Sequence, residues 1–180
     1  RFDATASGAT AVLEWATASE TNNSGFYVQQ KQDGVFVDLG FVEGAGTTDQ
    51  PQSYRFRVED LDEATEHTFR LRQVDLDGTE SLTDAQSVRI GLSDAYRLTT
   101  YPNPFQDRAT VEFAVQEAQP VTIELYNTLG QRVKTLYDGT ARANETLRET
   151  LRATNLSSGL YIVRLKGEGF TATRKITLVR

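Results

Sequence analysis

Few side chains in this sequence could carry chemistry. Among its 180 residues there is one histidine, His67, and no cysteine, so composition alone excludes a thiolate metal site and a disulfide framework. A nucleophilic hydrolase needs a base beside its serine. His67 shares a strand face with Phe69 and Leu71 and reads as a half-buried corner residue instead. No GxSxG turn, phosphate-binding glycine loop or dinucleotide fingerprint is present. Carboxylates are plentiful, with 25 Asp and Glu, but paired-carboxylate catalysis needs a deep cleft that small sandwiches seldom have. The densest acidic cluster, Asp75-Leu76-Asp77-Gly78 after Asp60 and Asp62, lacks the alternating ligands and closing glutamate of a calcium loop and reads as a turn. Tyr27 and Phe36 offer a sugar-stacking platform only if their rings lie bare, and strand-face packing is the stronger expectation. We therefore expect no enzyme, no cofactor and no metal.

The elements that must position these residues alternate with period two. In the first half, TAVLEWATAS sets Ala11, Leu13 and Trp15 on one face, a polar turn is expected from Glu20 to Gly25, and Phe26 and Val28 begin the next strand. Val35, Val37, Leu39 and Phe41 share a side, a glycine-rich loop is expected at Gly44 to Gly46, and Tyr54, Phe56 and Val58 alternate with Arg55, Arg57 and Glu59. HTFRLRQVD and a strand through Val88 and Ile90 complete seven short strands, the pattern of an immunoglobulin-like β-sandwich. Trp15 and Phe69 should share one core.

The second half repeats the pattern. Strands are expected around Val111 to Val115, Val121 to Leu125, Val133 with Leu136, and Leu147 with Leu151. The chain closes on a hairpin in which Tyr161 to Lys166 and Phe170 to Val179 flank Gly167-Glu168-Gly169. The fold class is thus all-β, two immunoglobulin-like antiparallel β-sandwich domains in tandem, spanning 1–95 and 96–180. Leu92 to Thr100 lacks strong alternation and reads as an extended, accessible linker, the expected place for a processing protease to cut. Pro102 and Pro104 stiffen the start of the second domain.

The net charge of −6 hides an asymmetry. Residues 1–95 hold 7 Lys and Arg against 17 Asp and Glu, a balance of −10, whereas residues 96–180 hold 12 against 8, a balance of +4. Two modules of different history are the simplest account. The basic charges alternate with apolar positions and form no dense cluster, which argues against nucleic acid. No apolar run is long enough to span a membrane as a helix. The absence of an initiating Met and of a leader suggests a piece of a longer precursor.

Four elements in the second half carry a family resemblance: Pro102-Asn103-Pro104-Phe105, Ile123 to Gly130 with its Asn127-x-x-Gly130, Ser158-Gly159-Leu160-Tyr161, and the basic Arg174 to Arg180. In this order, over Tyr96 to Arg180, they resemble the type A C-terminal sorting domain of type IX secretion. Members commonly have Pro where this chain has Ser157. The resemblance implies a β-sandwich that acts as an address on cargo of a Gram-negative bacterium. The address is read by the outer-membrane translocon and removed by a sortase, and the cargo is secreted or held at the surface, commonly on lipopolysaccharide. Pro102, Asn103, Pro104, Phe105 and Gly130 are then structural motif residues. Recognition falls to Gly159, Leu160, Tyr161, Arg174, Lys175 and Arg180, with the terminal hairpin offering a backbone edge plus charge. The first half is similar to a fibronectin type III domain through Trp15, Leu61 and the spacing Thr65, His67, Phe69, Leu71, with His67 where that family has a corner tyrosine. This half reads as a spacer. The alternative is a tandem carbohydrate- or cell-surface-binding module.

Overall fold

In the computed structural model, which describes residues 1–179, the chain divides into two compact units, Arg1–Gly91 and Leu92–Arg180. No helix occurs among the described residues.

The first unit holds β1 (Phe2–Ser7), β2 (Thr10–Thr17), β3 (Glu20–Gln32), β4 (Val35–Thr48), β5 (Gln52–Val58), β6 (Thr65–Asp75), β7 (Glu80–Leu82) and β8 (Gln86–Ile90). They form a sheet ordered β1-β2-β5 and a sheet ordered β4-β3-β6-β7, with β8 also pairing β6. β7 pairs Arg72 to Val74 and β8 pairs Thr65 to Phe69, so the two act as one interrupted edge strand. Ala11, Leu13, Trp15, Phe26, Val28, Phe69, Leu71 and Ile90 fill one core, which places Trp15 and Phe69 together as expected.

Three local expectations are overturned here. Glu20 to Gly25 is the start of β3 and not a turn, because polar Glu20 and Asn23 are buried and hydrogen-bonded to each other. Gly44 to Gly46 lies inside β4 and not in a loop. Glycine is required there by space, since a Cβ on Gly44 would sit 2.5 Å from the Asn23 amide nitrogen. Val35, Val37, Leu39 and Phe41 do not share a side. A bulge between the pairs Val28↔Gly40 and Gln29↔Asp38 leaves Leu39 as an extra residue that packs on the core, while Val35, Val37 and Phe41 stay exposed.

The second unit holds β9 (Tyr96–Tyr101), β10 (Arg108–Val115), β11 (Gln119–Asn127), β12 (Arg132–Ala141), β13 (Leu147–Arg152), β14 (Gly159–Lys166) and β15 (Thr171–Leu178). A sheet ordered β13-β10-β9 faces one ordered β12-β11-β14-β15 across a core containing Phe105, Val111, Phe113, Ile123, Leu125, Val163, Leu165 and Ile176. The expected free linker is largely structured. Tyr96 to Tyr101 is β9, paired with β10 from Val115↔Tyr96 to Thr110↔Tyr101. Leu92 is buried, with its N–H donating to Asn144 Oδ1 at 2.7 Å and its carbonyl accepting from Gln116 Nε2 at 3.0 Å. Arg97 and two threonines weaken the alternation of this strand in sequence, and only cross-strand pairing reveals it. Outside strands, Ser93 to Ala95 remain exposed before β9.

Candidate functional site

The four sequence elements of the second unit converge on one end of its four-stranded sheet. Asn127, at the end of β11, pairs with Tyr161, and Gly159, at the start of β14, pairs with Leu178. On the other side of β15 the Asn103-Pro104-Phe105 segment closes the edge. Asn103 Nδ2 donates to the Lys175 carbonyl at 3.0 Å, and the Thr177 N–H donates to Asn103 Oδ1 at 3.0 Å. The Phe105 N–H then donates to the Thr177 carbonyl and the Val179 N–H to the Phe105 carbonyl, both at 2.9 Å. The expectation of a free backbone edge on the terminal hairpin is therefore overturned over Lys175 to Val179. Asn supplies an amide that mimics a peptide, and the flanking prolines carry no N–H of their own.

Phe105 is fully buried, so its role lies in packing, while Pro102, Asn103 and Pro104 stay on the surface. Tyr161 is buried as well, and its hydroxyl donates to the Ser157 carbonyl at 2.8 Å, tying the approach to β14 to its first turn. Arg174 lies four pairs in from the Gly159↔Leu178 pair, and its Nε donates to the Leu98 carbonyl at 3.0 Å. Leu160 and Lys175 project outward, and among the described residues Lys175 has no acidic partner. Arg180 lies outside the described residues.

The Asn127–Gln131 turn between β11 and β12 is closed by its own hydrogen bonds. Asn127 Oδ1 accepts from the N–H groups of Leu129 and Gln131, each at 3.0 Å, and the Gly130 N–H donates to the Asn127 carbonyl at 3.0 Å. Gly130 has φ 75°, a conformation that favours glycine. Leu129 is left 81% exposed at the tip. Sequence reasoning named Gly130 and missed Leu129, because the pattern marks the glycine a turn requires and not the side chain that the turn displays.

Sequence reasoning also missed a charged cluster on the outer face of this sheet. Glu124 accepts from Arg132 at 2.9 Å, Arg164 at 2.6 Å and the Tyr126 hydroxyl at 2.7 Å, and the Arg164 guanidinium lies over the Tyr126 ring at 4.2 Å. The hydrogen bonds from Arg132, Tyr126 and Arg164 hold the Glu124 carboxyl down at about 2. Only the cross-strand pairs Glu124↔Arg164 and Tyr126↔Arg132 assemble it, so no local pattern betrays it.

In the first unit the candidate platform is not bare. The Arg72 guanidinium lies over Tyr27 at 4.3 Å, the Arg70 guanidinium over Phe36 at 3.8 Å, and Phe41 packs on Tyr27. His67 replaces the corner tyrosine in function: its Nε2–H donates to the Asp62 carbonyl at 3.0 Å, and its Nδ1 accepts from Gln30 Nε2 at 3.0 Å. In the acidic turn, Asp77 Oδ1 accepts the Thr79 N–H at 2.8 Å and thereby closes the turn. A cavity of about 380 Å³ lies beside Phe2, Trp15, Phe26, Leu71, Thr83 and Gln86.

Each unit sets a three-stranded sheet against a larger one, and the second gathers its sequence elements at one end. The first unit, by its strand order, is fibronectin type III-like. Residues 99–179 match the family described as Secretion system C-terminal sorting domain, and the second unit is a sorting domain of that family. It carries a C-terminal sorting signal; domains of this kind are typically non-catalytic. A search of curated proteins finds no match. Among solved structures, dimeric latent PorU from Porphyromonas gingivalis aligns at 18% identity and TM-score 0.40, covering 97% of this chain and 19% of PorU. The FN1–FN3 domains of chicken CNTN1 align at 17% identity and TM-score 0.42, covering 96% of this chain and 63% of theirs. The chicken interferon gamma receptor alpha chain aligns at 14% identity and TM-score 0.36, covering 100% and 97%. These scores are low, and the fold rests on strand order and register.

Proposed function

We propose that residues 96–180 are a type IX sorting signal, read by the outer-membrane translocon and cut away by a sortase, and that residues 1–95 are a spacer. The cargo is then secreted or retained at the surface of a Gram-negative bacterium, with lipopolysaccharide as one anchor. The observation that carries the reading is the meeting of Pro102 to Phe105, Asn127 to Gly130, Gly159 to Tyr161 and the last strand at one end of one sheet. A signal read by a single receptor needs its parts in one place. Within the recognition set, Leu160 and Lys175 face the receptor, the buried Tyr161 and the edge-bound Arg174 hold the shape, and Gly159 permits the turn.

Processing falls between about Gly91 and Tyr101, ahead of Pro102, and within β9 it requires local unfolding of the pairing with β10. The test is a reporter carrying residues 1–180 at its C-terminus in a host with this export system. Surface delivery of the full fusion, its loss on deleting residues 176–180, and a mature C-terminus within 91–101 by mass spectrometry are expected. Delivery of the truncated fusion, or a mature chain still ending at Arg180, counts against the reading. The rival, a carbohydrate-binding first unit, is disfavoured by the arginine-covered rings of Tyr27 and Phe36. A glycan array with the chain should stay blank.

A further inference from the structure

One cross-strand row on the outer face of the four-stranded sheet reads Arg132, Tyr126, Ile162, Lys175, from the register Tyr126↔Arg132, Tyr126↔Ile162 and Ile162↔Lys175. The two inner members are half-buried and apolar in their bodies, and the two outer members are exposed cations. Strands lie about 4.8 Å apart, so the cations stand about 14 Å from each other across the row, backbone to backbone. Toward the motif end lie the exposed apolar residues Leu129, Leu160 and Val179, and Val133 is exposed beside Arg132; these are four of the five large hydrophobics exposed in the described part of this unit. A soluble surface rarely groups exposed side chains of this kind without a partner.

We infer that this end of the sheet is a docking surface in which Leu129 is the apolar anchor, and that its occupant is a protein groove with an apolar floor and an acidic rim. The inference rests on the sorting reading and names the face that is read. Charge complementarity selects the acidic rim, because Lys175 has no acidic partner among the described residues and the whole unit carries more cations than anions. Fixed geometry selects a protein over an anionic lipid surface. Leu129 sits in a turn fixed by two hydrogen bonds to Asn127 Oδ1, one from its own N–H and one from that of Gln131, and the cation spacing is set by the sheet, features that a fluid bilayer does not need. A preorganised apolar side chain on a rigid turn is how a small interface concentrates its binding energy.

The experiment uses the same reporter fused to residues 1–180. Leu129→Ser and Lys175→Glu change exposed residues, so each protein should melt like the parent, and Val35→Ser, exposed in the first unit, is the control. Surface delivery should fall about ten-fold or more for Leu129→Ser, the loss of one anchor, and further for the double variant, with Val35→Ser unchanged. A photo-crosslinker placed at Ile162 should then join the chain to a protein through a peptide containing Asp or Glu. Normal delivery of Leu129→Ser and of the double variant overturns the inference while leaving the sorting reading intact. Failure of the parent fusion to be delivered removes the sorting reading, and this inference with it. Binding of the purified chain to vesicles of phosphatidylglycerol, abolished by Leu129→Ser, or crosslinking to a second copy of the chain, overturns the choice of occupant.

Discussion

The two units solve the same architectural problem with different chemistry. Each faces a three-stranded sheet against a larger one, and each ties a strand start to a carbonyl a few residues upstream, His67 to Asp62 in the first and Tyr161 to Ser157 in the second. Each also holds a carboxylate in a dense set of donors. In the first unit Glu20 lies inside, accepting from Tyr54 at 2.6 Å, Thr17 and Asn23 at 2.8 Å and the Ala45 N–H at 2.7 Å. Burial pushes Glu20 upward, but the bonds from Tyr54, Asn23, Thr17 and Ala45 outweigh it and hold the carboxyl below its ordinary range. Burial and the neighbouring Glu20 push the Tyr54 phenol up to about 12. In the second unit Glu124 stands on the outer face and is held by arginines. The first unit uses its polar groups to close its interior and covers its outer rings with arginines. The second arranges its charges on the outside and leaves an apolar end uncovered. The proposed division into spacer and address fits that difference, since only an address needs an open surface.

Core truncation is the largest test of that independence. Trp15→Ala and Phe105→Ala each remove a large buried ring and should cost their own unit about 3 to 5 kcal/mol. Denaturation of Phe105→Ala followed by fluorescence of Trp15, the sole tryptophan, should leave the first-unit transition in place. A shift of that transition breaks the comparison, and a cost below about 1 kcal/mol for Trp15→Ala would contradict its place in the core.

The corner ties come next. His67→Leu leaves both the Asp62 carbonyl and the Gln30 amide without their partner and should cost about 2 to 4 kcal/mol. Tyr161→Phe deprives only the Ser157 carbonyl and should cost about 1 kcal/mol. Equal losses in urea unfolding would mean that the two corners are equivalent after all. Removing the Asn103 amide by Asn103→Ala should free the edge of β15, read as faster hydrogen exchange at the Thr177 N–H with the β14 side still protected.

Acid gives the finest distinction. Both carboxylates are depressed, so each contributes stability that is complete above the ordinary carboxylate value of 4.5 and is lost as pH falls. For Glu124 the loss should continue down to about 2. Melting temperatures taken from pH 5 downward, at pH values about half a unit apart, should fall less steeply in Glu124→Gln for the second unit only. The matching change in Glu20→Gln should appear in the first unit only. Parallel slopes for parent and variants would remove these carboxylates as the source of acid sensitivity.

Sequence alone determined the all-β class, the placement of Trp15 and Phe69 in one core, the terminal hairpin, and the motif elements of the sorting domain, because period-two alternation and turn-forming Gly, Pro and Asn act locally. Where polar residues are inside, the pattern misleads: Glu20 and Asn23 looked like a turn and are buried strand, and Arg97 with Thr99 and Thr100 hid β9. Tertiary structure decided everything that depends on pairing between distant strands. The bulge that turned Leu39 inward, the closure of the β15 edge by Asn103 and Phe105, the arginines over Tyr27 and Phe36, and the Glu124 cluster all join residues far apart in the chain. Their contacts are set by register, and register is a property of two strands at once, so neither strand read by itself could have shown them.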